Sequence, residues 1–183
     1  MCRFLFSYQL KSHSEIDEKR FLNSLDLMIK GGPDAQGYAF SNNRKIIMGH
    51  NRLSLRDLRS IADQPFNSIS SKSRIIFNGE IYNHLDLRKL LPAQDWRTNS
   101  DTETLIELLE AFGPTLILPK IEGMFSLIFH DLSTNNIFVA RDKSGIKPLF
   151  FTHKENFSYL CFSSEIKAIK NYYSNFKFTI SES

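Results

Sequence analysis

The sequence predicts an α+β fold in which antiparallel sheets are covered by helices. Two observations predict it. The β-type runs come mostly in pairs around short turn-forming stretches, as hairpins do. Helical periodicity interrupts them only early and in the middle of the chain, so there is no repeating βαβ pattern. With 183 residues, 42% of them hydrophobic and sixteen of them Phe, the chain has enough apolar material for one well-filled domain.

Taken in order, residues 3–8 form a short buried strand. Ser14 and Asp17 make a capping-box-like start, with Asp in place of the preferred Glu or Gln. Phe21, Leu22, Leu25, Met28 and Ile29 then share one helical face. Gly31-Gly32-Pro33-Asp34 stops that helix. A hairpin joins 37–40 to 45–49 across Ser41-Asn42-Asn43-Arg44. A long polar stretch, 53–73, contains Gln64-Pro65, and loops of that length in compact domains are often functional.

Residues 74–77 form a strand ending at the turn pair Asn78-Gly79. The segment 85–91 is helical. Ser100 caps a helix carrying Leu105, Ile106, Leu108 and Leu109 and ending at Gly113-Pro114. Hairpins follow at 123–130 with 137–140, and at 150–152 with 159–162. A short helix covers 164–170, and 176–180 makes a last strand.

Charge and cysteine usage narrow the function classes. The net charge is +3, and Lys and Arg are scattered among acids instead of forming the stripe that nucleic-acid or membrane-surface binding requires. No apolar stretch is long enough to span a membrane or to serve as a signal peptide. The two cysteines, Cys2 and Cys161, form no zinc or redox spacing, which suits a reduced, cytoplasmic chain.

Cys2 is the residue with the most chemistry in it. Removal of Met1 would leave one residue carrying both a thiol and a free α-amine, a nucleophile with its own base. The plain alternative is a buried thiol in an apolar first strand. Polar groups of catalytic type collect at Cys2-Arg3, at His50-Asn51-Arg52-Leu53-Ser54, at Asn78-Gly79-Glu80-Ile81-Tyr82-Asn83-His84 and at Asn99-Ser100-Asp101. Each has a structural explanation of its own: a surface arginine, a hairpin turn, an acid in the first turn of a helix, a core histidine.

Together these segments resemble the glutaminase domain of class II, N-terminal-nucleophile glutamine amidotransferases, in particular that of glutamine-hydrolysing asparagine synthetases. Met1-Cys2, Gly32-Pro33-Asp34, His50 to Ser54, Gln64-Pro65, Phe77 to His84, Ser100-Asp101, Gly123-Met124-Phe125, Arg141-Asp142 with Gly145 and Pro148-Leu149, and Ser163-Ser164-Glu165 carry the likeness in the family's order. The resemblance implies a four-layer αββα sandwich over residues 1–183, with the family's synthetase domain absent from this chain. It implies that Cys2 attacks the side-chain amide of L-glutamine, with Asn78 and the Gly79 N–H as oxyanion hole. It assigns Arg52 to the substrate carboxylate and Glu80 and Asp101 to its ammonium. Backbone groups of Leu53, Ser54, Leu55 and Arg56 line the same pocket. No cofactor is implied in this domain; ATP and Mg belong to an ATP-dependent synthetase domain or subunit, the implied partner. The likeness is compatible with a homodimer.

Three departures stand out. Arg3 follows the nucleophile where a small residue is common, Phe6 stands where glycine is frequent, and Gly32 in Gly31-Gly32-Pro33-Asp34 stands where arginine is usual before Gly-Pro-Asp-type turns. The 141–149 stretch, lacking a nucleophile or base, reads as a supporting turn, and Cys161 as an inert buried thiol. Two competing readings remain: a catalytically silent regulatory or assembly module of the same fold, and an unrelated Cys–His hydrolase using His50 or His84 as base.

Overall fold

Alternation along β1 (Arg3–Gln9) sets up the whole architecture. Phe4 and Phe6 point to one side of the strand and Leu5 to the other, and all three are fully buried. A strand buried on both faces must lie between two layers. The computed structural model describes residues 1–10, 16–153 and 158–173. In it β1 is the middle strand of a five-stranded antiparallel sheet. Its other strands are β2 (Ala35–Phe40), β3 (Ile46–Arg52), β8 (Phe150–His153) and β9 (Tyr159–Ser163), in the order β2-β3-β1-β9-β8.

A second antiparallel sheet has the order β4-β5-β6-β7, with β4 at Phe66–Asn67, β5 at Ser73–Ile81, β6 at Gly123–Asp131 and β7 at Asn136–Arg141. The two sheets share a core of Phe4, Phe6, Ile46 and Met48 from one side and Ile76 and Ile128 from the other. Their outer faces carry the odd-even complement. Leu5, Ile47 and Cys161 pack on α1 (Glu18–Asp26) and α5 (Ile166–Tyr172) through Phe21, Leu25, Ala168 and Ile169. Ile75, Phe77, Leu127 and Phe129 pack on α2 (His84–Arg88) and α3 (Asp101–Phe112) through Leu87, Leu105, Leu108 and Leu109. A short α4 (Pro114–Ile117) follows Gly113. The expected helix–sheet–sheet–helix sandwich is therefore present. Because strand faces alternate, a one-residue slip of β1 would exchange the two phenylalanines with Leu5.

Ser100 caps α3 as expected, accepting a hydrogen bond from Thr102 N at 3.0 Å, and Gly113 (φ +80°) ends the helix. All three hairpins form. The start of α1 differs. Its N-cap is Asp17, which accepts from Arg20 N at 2.9 Å, and the helix begins at Glu18; Ser14 lies outside the described residues. Ile29, placed by periodicity on the buried face, is 38% exposed because α1 has already given way to a turn of 3₁₀ helix there. The strand expected at 176–180 also lies outside the described residues.

Asn78-Gly79 corrects the sequence reading most clearly. It is not a turn. The pair lies inside β5, with Asn78 opposite Ser126 and Gly79 opposite Phe125. Glycine is needed because β6 comes too close for a side chain: a Cβ at position 79 would sit 2.8 Å from Phe125 Cα and collide with the Met124 carbonyl.

Candidate active site

The start of β1, the end of β3 and the end of β5 converge on one cleft. The pairing of Arg3 with Asn51 puts Cys2 beside Arg52 and Leu53. Cys2 Sγ lies 3.4 Å from Leu53 N, which donates to it, and 3.7 Å from Leu53 O. The cleft encloses about 110 Å³. Cys2, Arg52, Leu53, Leu55, Arg56, Asn78, Gly79, Glu80 and Asp101 all line it, so the structure brings together every sequence-predicted site residue but one. The exception is Ser54, whose N–H is turned to the Asp34 carboxylate at 2.7 Å.

Burial raises the Cys2 thiol above its ordinary pKa, and the Leu53 N–H, the N-terminal charge and Arg52 pull against that rise. Asn78 sits opposite in role. It is 1% exposed, and its Nδ2 is buried with no hydrogen-bond partner among the described residues. An orphaned amide donor costs free energy unless something in the cleft accepts from it.

The charged groups are not open receptors. The Arg52 side chain is 8% exposed and donates through Nη1 to Asp63 Oδ1 at 2.6 Å and Arg59 O at 3.1 Å, and through Nη2 to Asp57 O. Glu80 is paired with Arg56, whose Nη1 also meets His84 Nε2 at 3.0 Å. Asp101 is 6% exposed. Burial raises its pKa to about 6, against the Ile81 N–H that donates to Oδ2 at 2.9 Å.

No histidine lines the cleft among the described residues. His50 is fully buried, with Nε2 3.0 Å from Phe77 O, and it links β3 to β5 across the sheet interface. A carbonyl partner requires Nε2 to carry the proton. Burial lowers its pKa to about 4. His84 is held by Arg56. Neither of them lines the cleft with Cys2, where the Cys–His alternative would need its base. Cys161 is fully buried, and burial pushes its thiol well above the ordinary range, as an inert cysteine requires.

Two of the cleft residues to which sequence reasoning gave no site role stand out, Gln64 and Lys147. Gln64 Oε1 accepts from Phe77 N at 2.6 Å and its Nε2 reaches toward Thr102, so it bolts the long 53–73 loop to β5. Lys147 is 2% exposed and lines the cleft with Met1 and Cys2. The 141–149 turn does support the sheet, with Asp142 accepting from Phe125 N, Ile146 N and Lys147 N at 3.2, 2.9 and 3.0 Å. It also delivers Lys147, and the apolar neighbours in Gly-Ile-Lys-Pro-Leu were the signal that this lysine is buried. Among the described residues no group of three or more His, Cys, Asp or Glu side chains converges as metal ligands would. No helix there is long and apolar enough to cross a membrane.

Comparison with known proteins agrees with this geometry. A family model described as a glutamine amidotransferase domain matches residues 1–183. The chain is 37% identical over 138 residues to asparagine synthetase (glutamine-hydrolysing) 2 of Bacillus subtilis, covering 75% of this chain and 18% of that protein. It is 33% identical over 178 residues to the asparagine synthetase (glutamine-hydrolysing) of Sandersonia aurantiaca, covering 97% and 33%. It is 35% identical over 147 residues to the amidase chry2 of Gibberella zeae, covering 79% and 21%. The chain thus spans between about a fifth and a third of the length of these relatives. A cleft that gathers the Cys2 thiol, a buried amide donor without a partner among the described residues and buried charges on a two-sheet sandwich, together with a match along the full length, shows that this chain belongs to the glutamine amidotransferase domain family.

Proposed function

We propose that this chain hydrolyses L-glutamine through Cys2 and supplies the ammonia to an ATP-dependent synthetase domain or subunit. In this reading Met1 is removed, and the freed α-amine takes the thiol proton. The thiolate attacks the side-chain carbonyl carbon, and the carbonyl oxygen takes up negative charge. Asn78 Nδ2 and the Gly79 N–H receive that charge. The protonated amine then returns its proton to the departing nitrogen, and ammonia leaves. Water hydrolyses the glutamyl thioester, releasing glutamate and restoring the thiol. Arg52 meets the substrate carboxylate with the N–H groups that Asp63 and the two carbonyls leave uncommitted. Glu80 and Asp101 meet the ammonium, and backbone groups of Leu53, Leu55 and Arg56 close around the substrate. The similarity to asparagine synthetases favours the aspartate carboxyl as ammonia acceptor. The reading suits a reducing, cytoplasmic setting, where the thiol stays free.

The observation that carries this reading is the orphaned Asn78 amide in the cleft that holds Cys2. The test is intact mass after exposure of the Met1-processed protein to diazo-oxo-norleucine, a glutamine-shaped electrophile. The expected result is one adduct, mapped to Cys2 and missing in Cys2→Ala. Processed, folded protein that takes up no adduct overturns it.

A further inference from the structure

Lys147 is a buried ammonium with a poor partner. Its side chain is 2% exposed, and its Nζ donates to the thioether of Met1, a weak acceptor. No carboxylate lies within ion-pair distance of it among the described residues. The other cleft cations, Arg52 and Arg56, are both committed to carboxylates. A buried charge without a counter-charge is costly and persists where the site needs it.

We propose that Lys147 is a positioning residue for the nucleophile: its ammonium holds negative charge at Cys2 Sγ once the Met1 side chain is gone. The inference rests on the reading of Cys2 as nucleophile. Met1 in the unprocessed chain occupies the space in front of the ammonium, lining the cleft beside Cys2. Its removal takes away the thioether and leaves the Cys2 thiolate as the anion the cation can serve. The charged and titratable groups within electrostatic reach of Lys147 are Cys2, Arg3, Glu80 and Asp142, joined after Met1 removal by the freed α-amine of Cys2, which carries no negative charge. Glu80 is neutralised by Arg56, Arg3 by Glu165, and Asp142 is taken up by three backbone N–H groups. That leaves the thiolate as the partner with unmet demand. Arg52 also acts on Cys2 but is tied to Asp63.

The test measures the rate of Cys2 alkylation by iodoacetamide against pH on the Met1-processed chain, which needs no glutamine. A cation beside a thiolate lowers its pKa by about one unit or more. Lys147→Met is therefore expected to move the midpoint up by about one pH unit and to slow alkylation at pH 7 about tenfold. Lys147→Arg is expected to restore the wild-type midpoint. Lys147→Gln, which keeps a donor without the charge, should behave as the Met variant and serves if that variant misfolds. A folded Met or Gln variant with the wild-type midpoint overturns the proposal, since a purely structural lysine would leave the titration in place. If the midpoint moves but processed wild-type protein hydrolyses no glutamine, the proposed function falls and the role of Lys147 stands. If glutamine is hydrolysed and the midpoint does not move, the reverse holds.

Discussion

Arg3 lies across Gly31. A Cβ built at position 31 would sit 2.6 Å from Arg3 Cγ and 3.0 Å from Arg3 Nε. The long side chain at position 3 thus uses the space left empty at position 31. Arg3 then reaches Glu165 at 2.5 Å and donates to the carbonyls of Met1 and Cys2 at 3.0 and 2.9 Å.

Gly31→Ala should therefore destabilise the fold by about 1–2 kcal/mol, because the contact falls on the middle of the Arg3 chain and not on its mobile tip. In an Arg3→Ala background the same change should be close to neutral. A denaturant double-mutant cycle checks this, and additive effects would show that the two residues do not share the space.

Asn78→Ala should separate activity from stability. Its Nδ2 has no partner among the described residues, so truncation removes an unmet donor and should not lower Tm. Glutamine hydrolysis should nevertheless fall by about 10²–10³-fold in kcat. Steady-state kinetics with a thermal melt decide it: a lowered Tm with intact kcat would make Asn78 a structural residue.

The pH dependence of stability should carry a His50 component. Its folded pKa of about 4 is below the unfolded value of 6.5, so the unfolded chain binds more protons between those limits. The contribution is complete above pH 6.5 and is lost as pH falls toward 4, a change of about 3 kcal/mol. His50→Gln keeps a donor for Phe77 O and should remove this slope. Urea unfolding of both proteins at several pH values measures the difference, and identical slopes would place the acid sensitivity elsewhere.

Asp101 should set the acid limit of glutamine binding. Burial holds its pKa near 6, and only the carboxylate attracts an ammonium. In a Cys2→Ala background the Kd for glutamine should rise about tenfold for each pH unit below 6. Asp101→Asn should bind weakly at all pH values and lose that dependence, as calorimetry would report. A variant that binds like wild type would remove Asp101 from the ammonium site.

Hairpins and helices were legible because their cues are local: alternating apolar residues, turn-forming pairs, Ser100 before an apolar helix. The four-layer stacking is visible in hindsight in Phe4-Leu5-Phe6, a strand apolar on both faces. Asn78-Gly79 was misread because local turn chemistry and a long-range need produce the same dipeptide. Only the neighbouring β6 backbone shows that the glycine answers to crowding. The cleft members Cys2, Arg52, Asn78 and Asp101 could be named from residue types and family likeness. Their partners could not. That Asp63 and two carbonyls hold the Arg52 fork, or that Lys147 faces Met1, depends on contacts between residues far apart in the chain.

The place of β1 between β3 and β9 has a consequence for biosynthesis. β1 is synthesised well before β9, its neighbour in the sheet: Leu5 pairs with Ser163, 158 residues further along the chain. At ~5–20 residues per second that interval is roughly eight to thirty seconds. During it β1 lacks one of its two flanking strands. Pairing of β9 then covers that edge of β1. Assembly of the sheet around β1, and with it the cleft at the start of that strand, thus waits for a strand made much later.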